Sequence, residues 1–318
     1  MFAKLFAESG LSLDRLKALL EVGSASSIVK AAAGDPVRQS QYSRQIKELE
    51  GFFRVRLIER QGKGTRLTPR GKELARISRF FMLGLASFQR GSQAEEQTFR
   101  LGASATFLQQ FLLPGIAGFP STQSPAKYAT EIVGDEEIER RLHDLTLDFG
   151  VVSRAAINRP IQIKSLGEWR LELWMPKALR LAGPAAKEAF EAGELPLIVA
   201  KQELESLELP LPTKLQPFLV CNSFVEARIA LDGQQAAALL PHFLAPRKPS
   251  RLLVQVHFPS LEAKVFGYHL AWNPRLLRLN PHAGSRRDLL AQTLSAGMKP
   301  LVSGSQGSSG ARRIASPR

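Results

Sequence analysis

The chain has 318 residues and 44% hydrophobic content, enough for two or three domains with buried cores. A single cysteine, Cys221, rules out an internal disulfide framework and a cysteine-rich metal site, and suits a reducing compartment. The net charge of +14 at pH 7 favours a polyanionic partner, either nucleic acid or an anionic membrane surface.

The start, Met1-Phe-Ala-Lys-Leu-Phe-Ala-Glu8, holds no uninterrupted apolar core of signal-peptide length. Ser12 is placed as the cap of a first helix with Leu13, Leu16, Leu19 and Leu20 at helical spacing, ending at Gly23. Ser27 caps a short second helix reaching about Ala33, and Gly34-Asp35-Pro36 reads as a turn. A third helix is expected from Arg38 to Phe53, then a strand at Val55-Arg-Leu-Ile58, a hairpin tip at Gly62-Lys63-Gly64 and a return strand Thr65-Arg-Leu-Thr68. Thr68 and Pro69 open a long helix whose Leu74, Ile77, Phe81, Leu85 and Phe88 form one narrow apolar seam, the pattern of a helix that packs on a partner helix. Gly91 to Gln97 is polar and reads as a linker.

From Phe99 strands and helices alternate. Strands are expected near Phe99–Ala103, Tyr128–Val133, Leu147–Val152, Leu171–Met175, Leu195–Ala200, Leu219–Asn222 and Leu252–Val256. Helices are expected at Leu108–Ala117, Asp135–His143, Glu226–Leu239 and Ser285–Ala296. Such alternation predicts an α/β domain with largely parallel sheets. Leu101 to Ala126 is uncharged, but Gln109, Gln110, Pro114 and Pro120 argue against a bilayer span, so a cytoplasmic protein with no membrane partner is expected. The stretch 300–318, rich in Gly and Ser with Arg312, Arg313 and Arg318, reads as a disordered basic tail.

Charge is concentrated between Arg38 and Lys72, where ten bases less three acids leave +7, half the net charge of the whole chain. On a wheel of about 100° per residue, Tyr42, Ile46, Leu49 and Phe53 share a core face. Ser40, Arg44 and Lys47 lie opposite, flanked by Gln41 and Ser43. Gln suits adenine edges, Arg suits guanine, and Ser, Arg and Lys hold phosphate, so this face suits a DNA major groove. Lys63 and Arg66 on the hairpin would set cations beside it, as wings do.

Four segments carry a resemblance: Ser27-Ile-Val-Lys-Ala-Ala-Ala33, Gln39-Ser-Gln-Tyr-Ser-Arg-Gln-Ile-Lys-Glu-Leu-Glu50, Arg56-Leu-Ile-Glu-Arg60 and Arg66-Leu-Thr-Pro-Arg-Gly71. Without a gap, they resemble the winged helix-turn-helix of the LysR-type transcriptional regulators of bacteria. The sequence departs from that pattern at Asp35, where the family prefers a core Leu, at Arg38 for Ser, at Ser40-Gln41 for Pro-Ala, at Arg54 for Gly and at Ile58 for Phe. Weaker similarity continues through Leu101-Gly-Ala-Ser-Ala-Thr106, Leu113-Pro114, Leu147-Asp-Phe-Gly-Val-Val-Ser153, Ala238-Leu-Leu-Pro241 and Leu270-Ala-Trp272. Where the family commonly has Ala-Gly-Leu-Gly before Leu-Leu-Pro, this chain has Gln234 and Ala236 in place of the glycines.

The resemblance implies an α+β multidomain chain. A winged helix-turn-helix would occupy 1–68, a linker and dimerisation helix with a hinge 69–97, and a two-lobed α/β domain like periplasmic binding proteins 98–299. Its first lobe would span 98–165 and 267–299, its second 166–266. It implies DNA contacts from Arg38, Gln39, Ser40, Gln41, Ser43, Arg44, Lys47, Arg60, Lys63 and Arg66, and effector contacts from Ser104, Thr106, Val152, Ser153, Asn222 and Ser223. The partners it implies are double-stranded DNA, a small molecule that can be anionic, further copies of the chain in a homodimer or a homotetramer, and RNA polymerase.

No cofactor or metal and no catalysis are expected. The five histidines (His143, His242, His257, His269 and His282) are scattered, and no nucleophile elbow, phosphate loop or dinucleotide fingerprint is present. The lost glycines keep a second reading open, a DNA-binding regulator or architectural protein whose C-terminal domain answers to no ligand.

Overall fold

The computed structural model describes residues 9–61, 64–91, 97–119, 126–181, 183–207, 209, 214, 217–233, 235–246, 252–280 and 282–298. The wing tip Lys63, Gln234, most of the linker (92–96) and the basic tail 300–318 lie outside the described residues.

Local capping shapes the N-terminal unit. Ser12 Oγ accepts from Arg15 N at 3.3 Å and starts helix α1 (Leu13–Ala25). The helix does not end at Gly23. A Cβ there would lie 2.7 Å from Leu67 Cδ1, so the glycine lets the wing close onto α1. Ser27 caps α2 (Ile28–Ala31). Asp35 accepts from Val37 N at 2.8 Å and Arg38 N at 3.4 Å, and Pro36 takes the first helical position. Helix α3 (Pro36–Phe53) therefore begins two residues before the predicted Arg38, and Asp35 is a cap rather than a core residue.

Two apolar clusters hold this unit together, one built on Leu16, Leu19, Leu49, Leu57 and Ala75, the other on Ala18, Val22, Ala32, Tyr42 and Ile46. Beyond α3 the predicted strand at Val55 begins only at Ile58. Glu50 Oε1 accepts from Leu57 N at 2.7 Å and Ile58 N at 3.3 Å, which turns the chain first. Strands β1 (Ile58–Gln61) and β2 (Gly64–Leu67) then pair antiparallel, with Glu59 opposite Arg66.

Thr68 Oγ1 accepts from Gly71 N at 3.0 Å and opens α4 (Pro69–Gly91). A Cβ at Gly71 would sit 2.0 Å from the Leu57 carbonyl oxygen, so only glycine permits this approach of helix to chain. Leu74 packs on the domain core, whereas Ile77, Phe81, Leu85 and Phe88 are 52, 50, 44 and 82% exposed.

The remaining chain forms two five-stranded sheets. The first, in the order β4-β3-β5-β12-β6, uses β3 (Gln97–Ala103), β4 (Ala126–Ile132), β5 (Phe149–Val152), β6 (Gln162–Trp169) and β12 (Phe266–Trp272). The second, in the order β11-β7-β10-β8-β9, uses β7 (Leu171–Pro176), β8 (Leu197–Ala200), β9 (Leu219–Cys221), β10 (Ala237–Pro241) and β11 (Leu253–Val256). Neither sheet is largely parallel. β3 is parallel to β4 and β5, and β8 is parallel to β9 and β10, but β12 and β7 each run antiparallel to both neighbours. The chain passes from the first sheet to the second at Arg170 and returns between β11 and β12.

A helical run follows β3 through Ala105–Phe107, Leu108–Leu112 and Leu113–Ala117, widened in its middle turn, and is called α5. α6 (Asp135–His143), α7 (Gly183–Ala192), α8 (Lys201–Ser206), α9 (Phe224–Leu231), α10 (Pro259–Glu262), α11 (Pro274–Leu279) and α12 (Ala283–Gly297) complete the elements used below. The predicted helix Glu226–Leu239 is corrected: α9 stops at Leu231, and Ala237–Pro241 is a strand inside the second sheet. Both faces of that strand are buried, so its residues form an unbroken apolar run without the alternation that marks a strand. Among the described residues no helix is long and apolar enough to cross a membrane.

Candidate nucleic-acid interface and inter-lobe cleft

α3 buries Tyr42, Ile46 and Leu49 and turns Arg38, Ser40, Gln41, Arg44 and Lys47 to solvent. Gln39 and Ser43 are half-buried at the edge of a recess that also takes in Ser27, Val29, Arg60 and Thr65. The N-terminal half of α3, the start of α2 and the hairpin therefore line one concavity, bringing together Gln39, Ser40, Ser43 and Arg60. A second hollow on α3 joins Ser40, Ser43, Arg44 and Lys47.

The cations on this surface differ in their partners. Arg44 Nε lies 3.0 Å from Glu48 Oε1, and Arg15 closes on the other oxygen of the same carboxylate. Hydrogen bonds from Arg15 and then Arg44 hold the Glu48 carboxyl below its ordinary range. Arg66 grips Glu59 across the hairpin at 2.6 and 2.9 Å. Lys47 and Arg60 carry no ion pair among the described residues. Arg38 lies over the Tyr42 ring, 5.9 Å from its centroid.

Two exposed apolar side chains lie beside the basic face. Val37, in the first turn of α3, is 75% exposed, and Val29 on the recess wall is 54% exposed. Exposed methyl groups beside a basic helix face suit thymine methyls. Val37 falls inside α3 because the helix begins at Pro36, two residues before its expected start.

The second candidate site is a cavity of about 230 Å³ lined by residues of both sheets' lobes. From the first lobe come Ser104, Asp135, Val151, Ser153 and Tyr268, and from the second Gln202, Glu203, Asn222, Phe224 and Glu226, with Trp169 at the crossing. Ser104 Oγ accepts from Phe107 N at 3.3 Å, capping α5. Ser153 donates from N and Oγ to Asp135 Oδ2 at 2.9 and 2.7 Å. Asn222 N donates to Glu226 Oε2 at 2.8 Å.

Three of the expected effector residues do not line this cavity. Val152 points away into the cluster of Ile138, Leu142 and Ala271, and the preceding residue, Val151, faces the cleft, because neighbouring strand residues face opposite sides. Ser223 is buried and caps α9, accepting from Glu226 N at 3.2 Å. Thr106 is fully buried beneath the cavity floor, where it donates from Oγ1 and N to Glu203.

Asp135, Glu203 and Glu226 line the cavity, and no Lys, Arg or His does so among the described residues. Burial, followed by the fields of Glu203 and Asp135, pushes the Tyr268 phenol well above its ordinary value, so its hydroxyl stays protonated. Trp169 Nε1 is buried with no acceptor among the described residues. Asp135 is the first residue of α6, whose helix was expected, but it was not among the expected effector residues. Glu203 sits on α8, which the sequence pattern did not reveal.

A basic exposed helix in a winged helix-turn-helix, joined by a long helix to a two-lobed α/β unit with a cleft, defines a DNA-binding transcription regulator with an effector-binding domain. The chain belongs to the LysR family: the family model for the bacterial regulatory helix-turn-helix protein, lysR family, matches residues 13–72, and that for the LysR substrate binding domain matches residues 92–295. Full-length solved structures share the fold. A variant of OxyR from Pseudomonas aeruginosa aligns with a TM-score of 0.61 and 16% identity over 89% of this chain and 97% of that one. LysG from Corynebacterium glutamicum, solved with its effector Arg bound, aligns at 0.58 and 15% over 91% and 100%. ArgP from Mycobacterium tuberculosis aligns at 0.58 and 16% over 90% and 98%. No curated protein matches the chain in sequence.

Proposed function

We propose that this regulator reads an operator with the exposed face of α3 and answers to a small molecule held between its two lobes. The observation that carries the reading is the pairing of two surfaces in one chain. One is a recess and helix face offering Gln39, Ser40, Ser43, Arg44, Lys47 and Arg60. The other is a cavity walled by both lobes. Arg38, Gln41 and Arg66 flank the first surface, and the wing residue Lys63 belongs with them by sequence. Ser104, Ser153 and Asn222 are the expected effector residues that reach the second. At about 230 Å³ the cavity lies below the usual 300–1,000 Å³ of ligand pockets, so it suits a molecule no larger than a small metabolite.

The functional unit is a pair or two pairs of chains. The exposed seam of α4 joins two of them, so that two α3 helices meet half-sites with dyad character. Closure of the lobes around ligand shifts the paired domains and alters DNA bending and contact with polymerase. In this reading residues 1–68 bind DNA, 69–97 pair the chains and 98–299 sense. The protein acts by binding rather than by turnover.

Mapping the genomic sites and measuring affinity for them by fluorescence anisotropy tests the DNA half. Arg44→Ala is expected to weaken operator binding by about 1–3 kcal/mol, the worth of one base-reading contact, with little change on unrelated DNA. Equal losses on both would make Arg44 a phosphate contact, and no loss on either would remove it from the interface.

A further inference from the structure

We infer that the Glu203 carboxylate is a built-in occupant of the anion seat between the lobes, so that Glu203 latches them together and bars carboxylate-bearing effectors from that seat. This rests on the reading of the cleft as the effector site. Thr106 N and Phe224 N belong to the opening turns of α5 and α9, where helix geometry leaves N–H groups without intrahelical acceptors and concentrates positive potential. An anion is the natural occupant of such a place.

Here the chain supplies it. Glu203 Oε1 accepts from Thr106 N at 3.0 Å, and Oε2 accepts from Thr106 Oγ1 at 2.6 Å and from Phe224 N at 2.8 Å. All three residues are buried, at 8% exposure for Glu203, 0% for Thr106 and 1% for Phe224. Thr106 stands on the first lobe, Glu203 and Phe224 on the second, so one side chain bridges the lobes through charge-assisted hydrogen bonds.

The rest of the cavity offers a second carboxylate no lining cation among the described residues. Its remaining ionic groups are Asp135, which accepts from Ser153 and has Arg154 Nε 3.9 Å away behind the lining, and Glu226, which accepts from Asn222 N; no Lys, Arg or His lines the cavity among the described residues. A carboxylate entering this space would meet Glu203 and Glu226, with Asp135 already matched by Arg154, and would lose its hydration with no cation in the lining to replace it. Neutral or cationic molecules meet no such barrier.

The test is thermal unfolding of the full chain, wild type against Glu203→Ala, in sodium acetate and in sodium chloride of equal ionic strength. Acetate is the probe because it replaces the deleted carboxylate without its tether. Glu203→Ala is expected to melt lower than wild type in chloride. Saturating acetate should restore roughly 3 °C of melting temperature to the variant alone. Glu203→Gln keeps the seat filled and should lose stability without regaining it in acetate. If Glu203→Ala does not accumulate as folded protein, its recovery on refolding in acetate but not in chloride reads the same point. A variant that acetate neither stabilises nor helps to refold, or a wild type stabilised by acetate as much as the variant, overturns the assignment.

The outcome is separable from that of ligand sensing. Wild-type protein stabilised by carboxylate metabolites would keep the sensing cleft and remove Glu203 from the seat. Wild-type protein indifferent to every metabolite would remove sensing, while acetate rescue of Glu203→Ala would still establish the seat.

Discussion

Arg54 ends α3 in the left-handed region, at φ 55° and ψ 34°, where a Cβ crowds the neighbouring carbonyl. The LysR pattern has glycine there, and this chain keeps the turn with the less suitable residue. Arg54→Gly is therefore expected to raise unfolding stability by roughly 1 kcal/mol, read from denaturant midpoints at unchanged slope. A lower midpoint would show that the Arg54 side chain holds more than the backbone loses. Residues that act on near neighbours were legible in the sequence. Ser12, Ser27 and Thr68 cap helices within three residues of themselves, and their spacing alone placed them. Glu203 was not legible, because its partners Thr106 and Phe224 lie 97 and 21 residues away. Val152 was misplaced by a single step along β5, and one step in a strand reverses the face.

Among the elements, α4 carries the clearest unfinished business. Ile77, Phe81 and Leu85 repeat at spacings of four and are each close to half exposed in the single chain, a stripe too continuous to leave in water. Phe81→Lys is expected to shift the protein from paired chains toward monomer in analytical ultracentrifugation and to weaken operator binding in parallel. A mass unchanged at micromolar concentration would place the pairing surface elsewhere. The seam was readable because an amphipathic helix writes its period into the sequence. β10 was not readable, since the run Ala236-Ala-Ala-Leu-Leu240 is apolar at every position and fits a buried helix as well as a buried strand. β6 and β12 escaped notice for a different reason. Each mixes polar and apolar residues without strict alternation, and each is fixed by seven paired positions on the other.

Across the whole molecule, charge separates the two tasks. Half of the net +14 lies between Arg38 and Lys72, where Arg38, Arg44, Lys47, Arg60 and Arg66 are exposed, while the lobes enclose three carboxylates. The first feature is a contiguous stretch of sequence and announces its polyanionic partner. The second is assembled from Asp135, Glu203 and Glu226, on three helices of two lobes, and only the folded chain brings them together. The central claim is that α3 reads DNA in a paired molecule. A hydroxyl-radical footprint on a mapped genomic site tests it most directly. Two protected half-sites are expected, related by a dyad and separated by one helical turn, about 34–36 Å, or a multiple of it. Protection of a single half-site, or a uniform pattern without dyad character, would contradict it.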